Sequence, residues 1–284
     1  MLKIAPSIHF TYFIKGLKQA FNWPRVIHLI TTSKTVQYTL IKSIALNGVA
    51  YLGILVLLET FYNTPDHHLF GYSYTVGVLD LTGYPLYLIC LVFNSKFYAQ
   101  IAQGQHQQRT SDNLDIVTTV NTIILYGNFA LFISLLKSIP YIGAITSFSI
   151  YCIIMTYYCF EYRWINQDWT IEQRMVYAEQ HWAYYLGFGL PATVITFFLS
   201  TLRAGGVYAL VYPSFIMMAS VAAPEPTAEV PYSSLEFALP FQIPVFLGVR
   251  FMNKCIIQVI RTVGGSRGET LVVDKHKDNL GKLV

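Results

Sequence analysis

The chain has 284 residues, of which 54% are hydrophobic and 12% charged, whereas soluble domains carry about 25% charged residues. So few charges cannot cover a soluble fold of this length, which argues against a soluble enzyme domain. A net charge of +4 shared between two ends is also a poor basis for nucleic-acid binding. The 21 Tyr and 19 Phe suit a membrane boundary, where a phenol ring lies in hydrocarbon and its hydroxyl reaches water. The expectation is all-α: a multi-pass helical membrane protein with about six membrane segments.

Residues 1–35 read as a basic interfacial segment. Phe10, Phe13, Leu17 and Phe21 share one face of a helix, with Lys15, Lys18 and Arg25 beside it, and Trp23-Pro24 ends it. Lys15 interrupts the apolar stretch and no small-residue cleavage site follows, so a signal peptide is not expected. Residues 36–255 form the membrane domain. Residues 256–284 read as a basic, disordered cytosolic tail.

Charge-free runs give the spans in chain order: Ser43–Leu58, Leu81–Ser95, Ile116–Leu136, Ser138–Phe160, Trp182–Leu202, Ala204–Pro224, and a weaker one from Pro231 to Val249. Crossing about 30 Å of hydrocarbon takes roughly 20 apolar residues, and several runs qualify. Each must be helical, because lipid offers a backbone amide no partner. A transmembrane barrel would show ~10-residue alternating strands instead.

Residues 1–42 hold Lys3, Lys15, Lys18, Arg25, Lys34 and Lys42 and no acid, and the tail after Arg250 is basic too. The connection beyond the first span carries Glu59, Asp66 and Asp80 without a base. The positive-inside rule then places both termini in the cytosol. Equal sidedness needs an even number of crossings, so one of seven segments must dip into the bilayer or return as a hairpin. The basic ends also suit anionic lipid head groups.

No motif marks an enzyme. Cys90, Cys152, Cys159 and Cys255 form no C-x-x-C pair and read as core thiols. His67-His68 lacks further metal ligands, and Gly264–Gly268 lacks the lysine and strand of a phosphate loop. No cofactor or metal is expected. Asp80, Arg203 and Glu236 interrupt apolar stretches and are candidates for a polar path; the alternative is that each caps a helix or sits at head-group level.

The most distinctive stretch is FEYRWINQDWTIEQRMVYAEQHWAYYLGFGLP, residues 160–191. Thr170 and Gln173 have capping-box spacing, which starts a helix at Ile171. Ile171, Met175, Ala178 and Trp182 share one face, with Glu172, Arg174 and Glu179 elsewhere, so an interfacial helix would enter the membrane at Trp182. Gly187 and Gly189 permit close helix packing, and Pro191 can kink the span. Glu161 and Arg163 are two apart and cannot face one another; the expectation pairs Arg163 with Glu179.

This stretch resembles the signature of the etoposide-induced protein 2.4 family. The residues that carry the resemblance are Glu161, Tyr162, Arg163, Trp164, Arg174, Glu179, Trp182, Tyr185, Gly187, Phe188, Gly189 and Pro191, together with Asn47-Gly48 in the first span. Tyr84–Tyr87, Phe97–Ala102, Leu210–Ala219 and Arg250–Lys254 are similar to other parts of it. The resemblance implies a non-enzymatic endoplasmic-reticulum membrane protein acting in autophagy, membrane homeostasis and growth control through protein partners. It leaves a homo-oligomer open. It also implies distant kinship with the CysZ sulfate permeases and their hemi-penetrating hairpins, so the alternative function is sulfate or anion transport. An intramembrane lipid enzyme is a weaker third option, because no acid–base cluster is visible.

Overall fold

Helices make up all the regular structure among the described residues, and no strand occurs there. The computed structural model describes residues 6–62, 78–103, 116–167, 169–224, 242–252, 255 and 258. Helices among the described residues include α1 Pro6–Gln19, α2 Trp23–Thr32, α3 Lys34–Ile44, α4 Gly53–Tyr62, α5 Val78–Gln103, α6 Ile116–Lys137, α7 Ile142–Asn166, α8 Ile171–Gln180, α9 Trp182–Thr196 and α10 Thr201–Val221. A π-helical stretch, Ala45–Leu52, joins α3 to α4.

Among the described residues, three helical stretches are long and apolar enough to cross a membrane: Lys34–Thr60, Ile142–Asn166 and Leu202–Val221. A shorter apolar stretch covers Ile124–Lys137. The uncharged run Trp182–Leu202 is not one helix. The chain leaves α9 after Thr196 and restarts at Thr201. At 1.5 Å per residue, the 15 residues of α9 cover about 22 Å, short of the ~30 Å hydrocarbon core. Absence of charge could not reveal the turn at Phe197–Ser200.

The chain divides into two units, Met1–Gln108 with Tyr151–Phe241, and Arg109–Ile150 with Gln242–Val284. In the second, α6 turns into α7 through a tight link closed by Ile142 N–H donating to the Pro140 carbonyl at 2.7 Å. Tyr141 takes a positive φ of 63° there. Phe129 of α6 packs on Phe246 with ring centroids 5.3 Å apart.

The first unit is organised by glycine. A Cβ on Gly187 would collide with the Phe13 carbonyl, and one on Gly16 with the Tyr184 carbonyl. The backbones of α1 and α9 therefore touch. On the far side of α9, Gly189 lies against the Cys152 carbonyl of α7. Without a hydrophobic drive between helices in lipid, such small-residue contacts are how spans pack. The face of α1 used is His9, Tyr12, Gly16 and Ala20, all buried. Phe10 and Phe21 of the expected apolar face lie off this contact and are 63% and 54% exposed. Glycine, which permits close approach, decided the orientation over the larger phenylalanines. Nor does Trp23-Pro24 end a helix; it opens α2, with Pro in the first turn, where its missing N–H costs no hydrogen bond.

Cys90, Cys152 and Cys159 are buried, whereas Cys255 is exposed. His67-His68, the glycine-rich Gly264–Gly268, the segment 225–241 with Glu236, and nearly all of the 256–284 tail lie outside the described residues.

Candidate functional site

The residues around α7, α8 and α9 form one buried cluster. Thr170 caps α8 as its spacing predicts. Gln173 N–H donates to Thr170 Oγ1 at 3.2 Å, and Thr170 N–H donates to Gln173 Oε1 at 2.9 Å. Fixing that first turn sets the direction of Arg174. Its guanidinium donates through Nε and Nη2 to the Trp169 carbonyl at 3.0 and 2.7 Å. Its Nη1 lies 3.7 Å from Glu161 Oε1 on α7. Arg174, Glu161 and Glu179 are 6%, 5% and 0% exposed.

Aromatic rings seal this charge cluster. Trp164 stacks between Trp169, at 6.1 Å and 10°, and Tyr185, at 6.4 Å and 8°. Phe160 stacks on Tyr185 at 5.5 Å and meets Phe188 edge-on at 5.4 Å. Tyr177 meets Trp169 edge-on at 5.2 Å. Burial pushes the Tyr177 hydroxyl above its usual range, with the Arg163 charge pulling it partly back. Thr156 Oγ1 donates to the Tyr185 carbonyl at 2.6 Å and ties α7 to α9.

Two expectations for this stretch are corrected. Arg163 does not take Glu179; its Nη1 donates to the Ala222 carbonyl at 2.6 Å. A cation at a helix C-terminus is favourable, and the last turn of α7 carries Arg163 to that end of α10. Arg174 and Glu179 also do not lie off the buried face of α8. Both are buried with Met175 and Ala178, because at 100° per residue the four positions fall within about 140° on one face of α8. The signature residues Glu161, Trp164, Tyr185 and Phe188 do meet in this cluster. Tyr162 is half-buried, Trp182 stacks on His9 at 5.0 Å, and Pro191 lies inside α9 with the helix continuing past it.

A second polar cluster lies at membrane depth and centres on Asn47-Gly48. Asn47 Nδ2 donates to Asn94 Oδ1 at 2.9 Å, and Asn94 Nδ2 returns a bond to Asn47 Oδ1 at 2.7 Å. Asn47 also donates to the Ser43 carbonyl at 2.9 Å. Beside them, Pro213 lies inside α10, which continues past it. A proline has no N–H for the carbonyl four residues earlier, which here is Ala209. Tyr98 donates its hydroxyl to that carbonyl at 3.1 Å, with Asn47 Nδ2 at 3.4 Å. The orphaned acceptor is thus satisfied within the protein, as lipid requires. Asn94 and Tyr98 were not predicted as site residues. Pro213 was the signal for them, since it names the carbonyl that needs a donor. Gly205 and Gly206 let α10 approach Tyr87 and Tyr51, and Tyr51 donates to the Leu202 carbonyl at 2.9 Å.

Of the candidate path residues, Arg203 forms an ion pair with Glu59 and its side chain is 51% exposed. Asp80 lies in the first turn of α5 and its side chain is outside the described set, as is Glu236. Of the three, only the placement of the Arg203 side chain lies among the described residues. No cluster of three or more metal-ligating side chains occurs there.

No solved structure matches the chain. Among proteins, it is similar to "Protein EI24 homolog" of Dictyostelium discoideum, 29% identical over 252 residues, covering 83% of this chain and 80% of the relative. It is 24% identical to the Arabidopsis thaliana "Protein EI24 homolog" over 302 residues, covering 88% and 94%. It is 26% identical to "Uncharacterized protein L211" of Acanthamoeba polyphaga mimivirus over 175 residues, covering 60% and 66%. Residues 12–217 match the family described as "Sulfate transporter CysZ/Etoposide-induced protein 2.4", a stretch that contains both polar clusters. The chain belongs to that family.

Proposed function

We infer that this chain is a non-enzymatic, multi-pass protein of the endoplasmic-reticulum membrane. It acts through protein partners in autophagy, membrane homeostasis and growth control, with both termini in the cytosol. The observation that supports a partner-based role over transport is where the charges go. Glu161 and Arg174 are enclosed with Glu179 among stacked aromatics, and Arg203 is engaged by Glu59. An anion path needs inward charges or half-helix N-termini facing an open route, and these groups answer one another instead. The second reading is a CysZ-like anion carrier. It is favoured by the family description and by two irregularities within apolar helices, the π-helical stretch at Asn47 and Pro213 inside α10.

Sulfate flux into proteoliposomes holding the purified chain separates the two. The expected result is no flux above empty vesicles. Flux that falls when Arg203 is neutralised, with the protein still folded, would replace the first reading by the second. Tags at either end should both be protease-accessible in intact microsomes, and protection of only one would refute equal sidedness.

A further inference from the structure

Helix α2 has three sectors. At 100° per residue, Val26, which is buried, marks the side against the protein, where α2 meets α3 and α10. Trp23 and Ile27 lie about 40° apart on a second sector and are 44% and 58% exposed. Arg25 and His28 occupy the third and are also exposed. Phe21, just before the helix, is exposed as well. A tryptophan and aliphatics beside a basic sector are what a helix needs to lie in the plane of a membrane interface.

The charge around it is of one sign. Residues 1–58 contain six Lys and Arg and no Asp or Glu. Lys18, Arg25 and Lys34 are exposed on α1, α2 and α3, and none takes a carboxylate among the described residues. The helices that α2 packs on add no acid to this face: neither α3 nor α10 contains Asp or Glu. We propose that α2 and its flanks form a lipid-binding elbow in which Trp23 and Ile27 enter the acyl boundary and Lys18, Arg25 and Lys34 select anionic phospholipid head groups. The site is separate from both buried clusters and independent of the choice between partner-based and transport roles.

The test reads Trp23 fluorescence from the full chain in phosphatidylcholine vesicles containing either brominated phosphatidylcholine or brominated phosphatidylserine at equal mole fraction. Trp164, Trp169 and Trp182 also emit, so the Trp23 signal is the difference between the native chain and Trp23→Phe. The expected result is quenching by both lipids, with an excess for phosphatidylserine. That excess should weaken by roughly fivefold in association for each base removed across Lys18→Gln, Arg25→Gln and Lys34→Gln, while quenching by phosphatidylcholine persists. Should the triple variant fail to fold, raising the salt concentration on the native chain must erase the excess instead. Equal quenching by the two head groups, or an excess that survives charge removal and salt, overturns the selection of anions. No quenching by either shows that water, another protein or a second copy of this chain covers the surface, and overturns the proposal.

Discussion

Arg174 on α8 and Glu161 on α7 face one another at 3.7 Å with both side chains nearly closed to solvent. Breaking one side of a buried pair leaves a charge without its partner and costs about 3–5 kcal/mol, whereas an exposed pair is worth about 0–1 kcal/mol. Arg174→Ala and Glu161→Ala should each lower thermal stability in detergent by an amount in the upper range. The double variant should lose much less than the sum. Strict additivity would mean that the two groups do not interact.

Gly187 and Gly16 bring α1 against α9, so alanine at either position must push the helices apart. Overpacking of this kind costs typically 1–3 kcal/mol. Gly187→Ala should lower the melting temperature and expose α1 to limited proteolysis before the rest of the chain. Gly127, where an added Cβ meets nothing within 4 Å, serves as the control. Gly127→Ala should be neutral or slightly stabilising, because alanine is the better helix former.

Pro213 and Tyr98 form a coupled pair through the Ala209 carbonyl. Tyr98→Phe removes the donor that answers the orphaned acceptor, at a cost of about 1 kcal/mol. In a Pro213→Ala background the helix supplies its own N–H, so the same change should cost measurably less. Unfolding in mixed detergent of the four proteins in the cycle measures the difference. Equal cost in both backgrounds would show that the tyrosine serves another purpose.

The sequence carried much of this architecture, and the failures have physical causes. The scarcity of charge required a membrane protein, and the Thr170–Gln173 spacing located the start of α8 at Ile171. Gly187 and Gly189 were legible as close-packing positions because nothing but glycine permits backbone contact. Glu161 and Arg163 were legible as residues that do not pair with one another. Their true partners were not, because the reach of a guanidinium depends on how α7, α8 and α10 cross, and no local spacing encodes a crossing. The side of α1 that meets the protein was hidden for a related reason. In a membrane protein apolarity no longer distinguishes inside from outside, so the smaller His9–Ala20 face won the contact.

The π-helical stretch at Ala45–Leu52 governs winding. From Thr39 onward the buried positions of this span fall at Thr39, Ser43, Asn47, Tyr51 and Leu55, each four residues after the last. In an α-helix a four-residue step overshoots a full turn by about 40°, so such a stripe would spiral around the rod and carry its polar members into lipid. The wider π turn unwinds the overshoot and keeps hydroxyl, carboxamide and phenol in one line toward α5 and α10. The span should therefore tolerate many side-chain exchanges on its outer side and yet be intolerant of losing a single residue. Deleting Val49 would retain every polar group named above but turn one half of the span by roughly 90° against the other, since four residues complete a turn in the wider winding. Val36, Thr39 and Ser43 would then point away from the neighbours that Tyr51 and Leu55 still address. The expected outcome is a chain that inserts but fails to reach a monodisperse folded state in size-exclusion chromatography, while Val49→Ala, at a position 75% exposed, behaves as the native protein does.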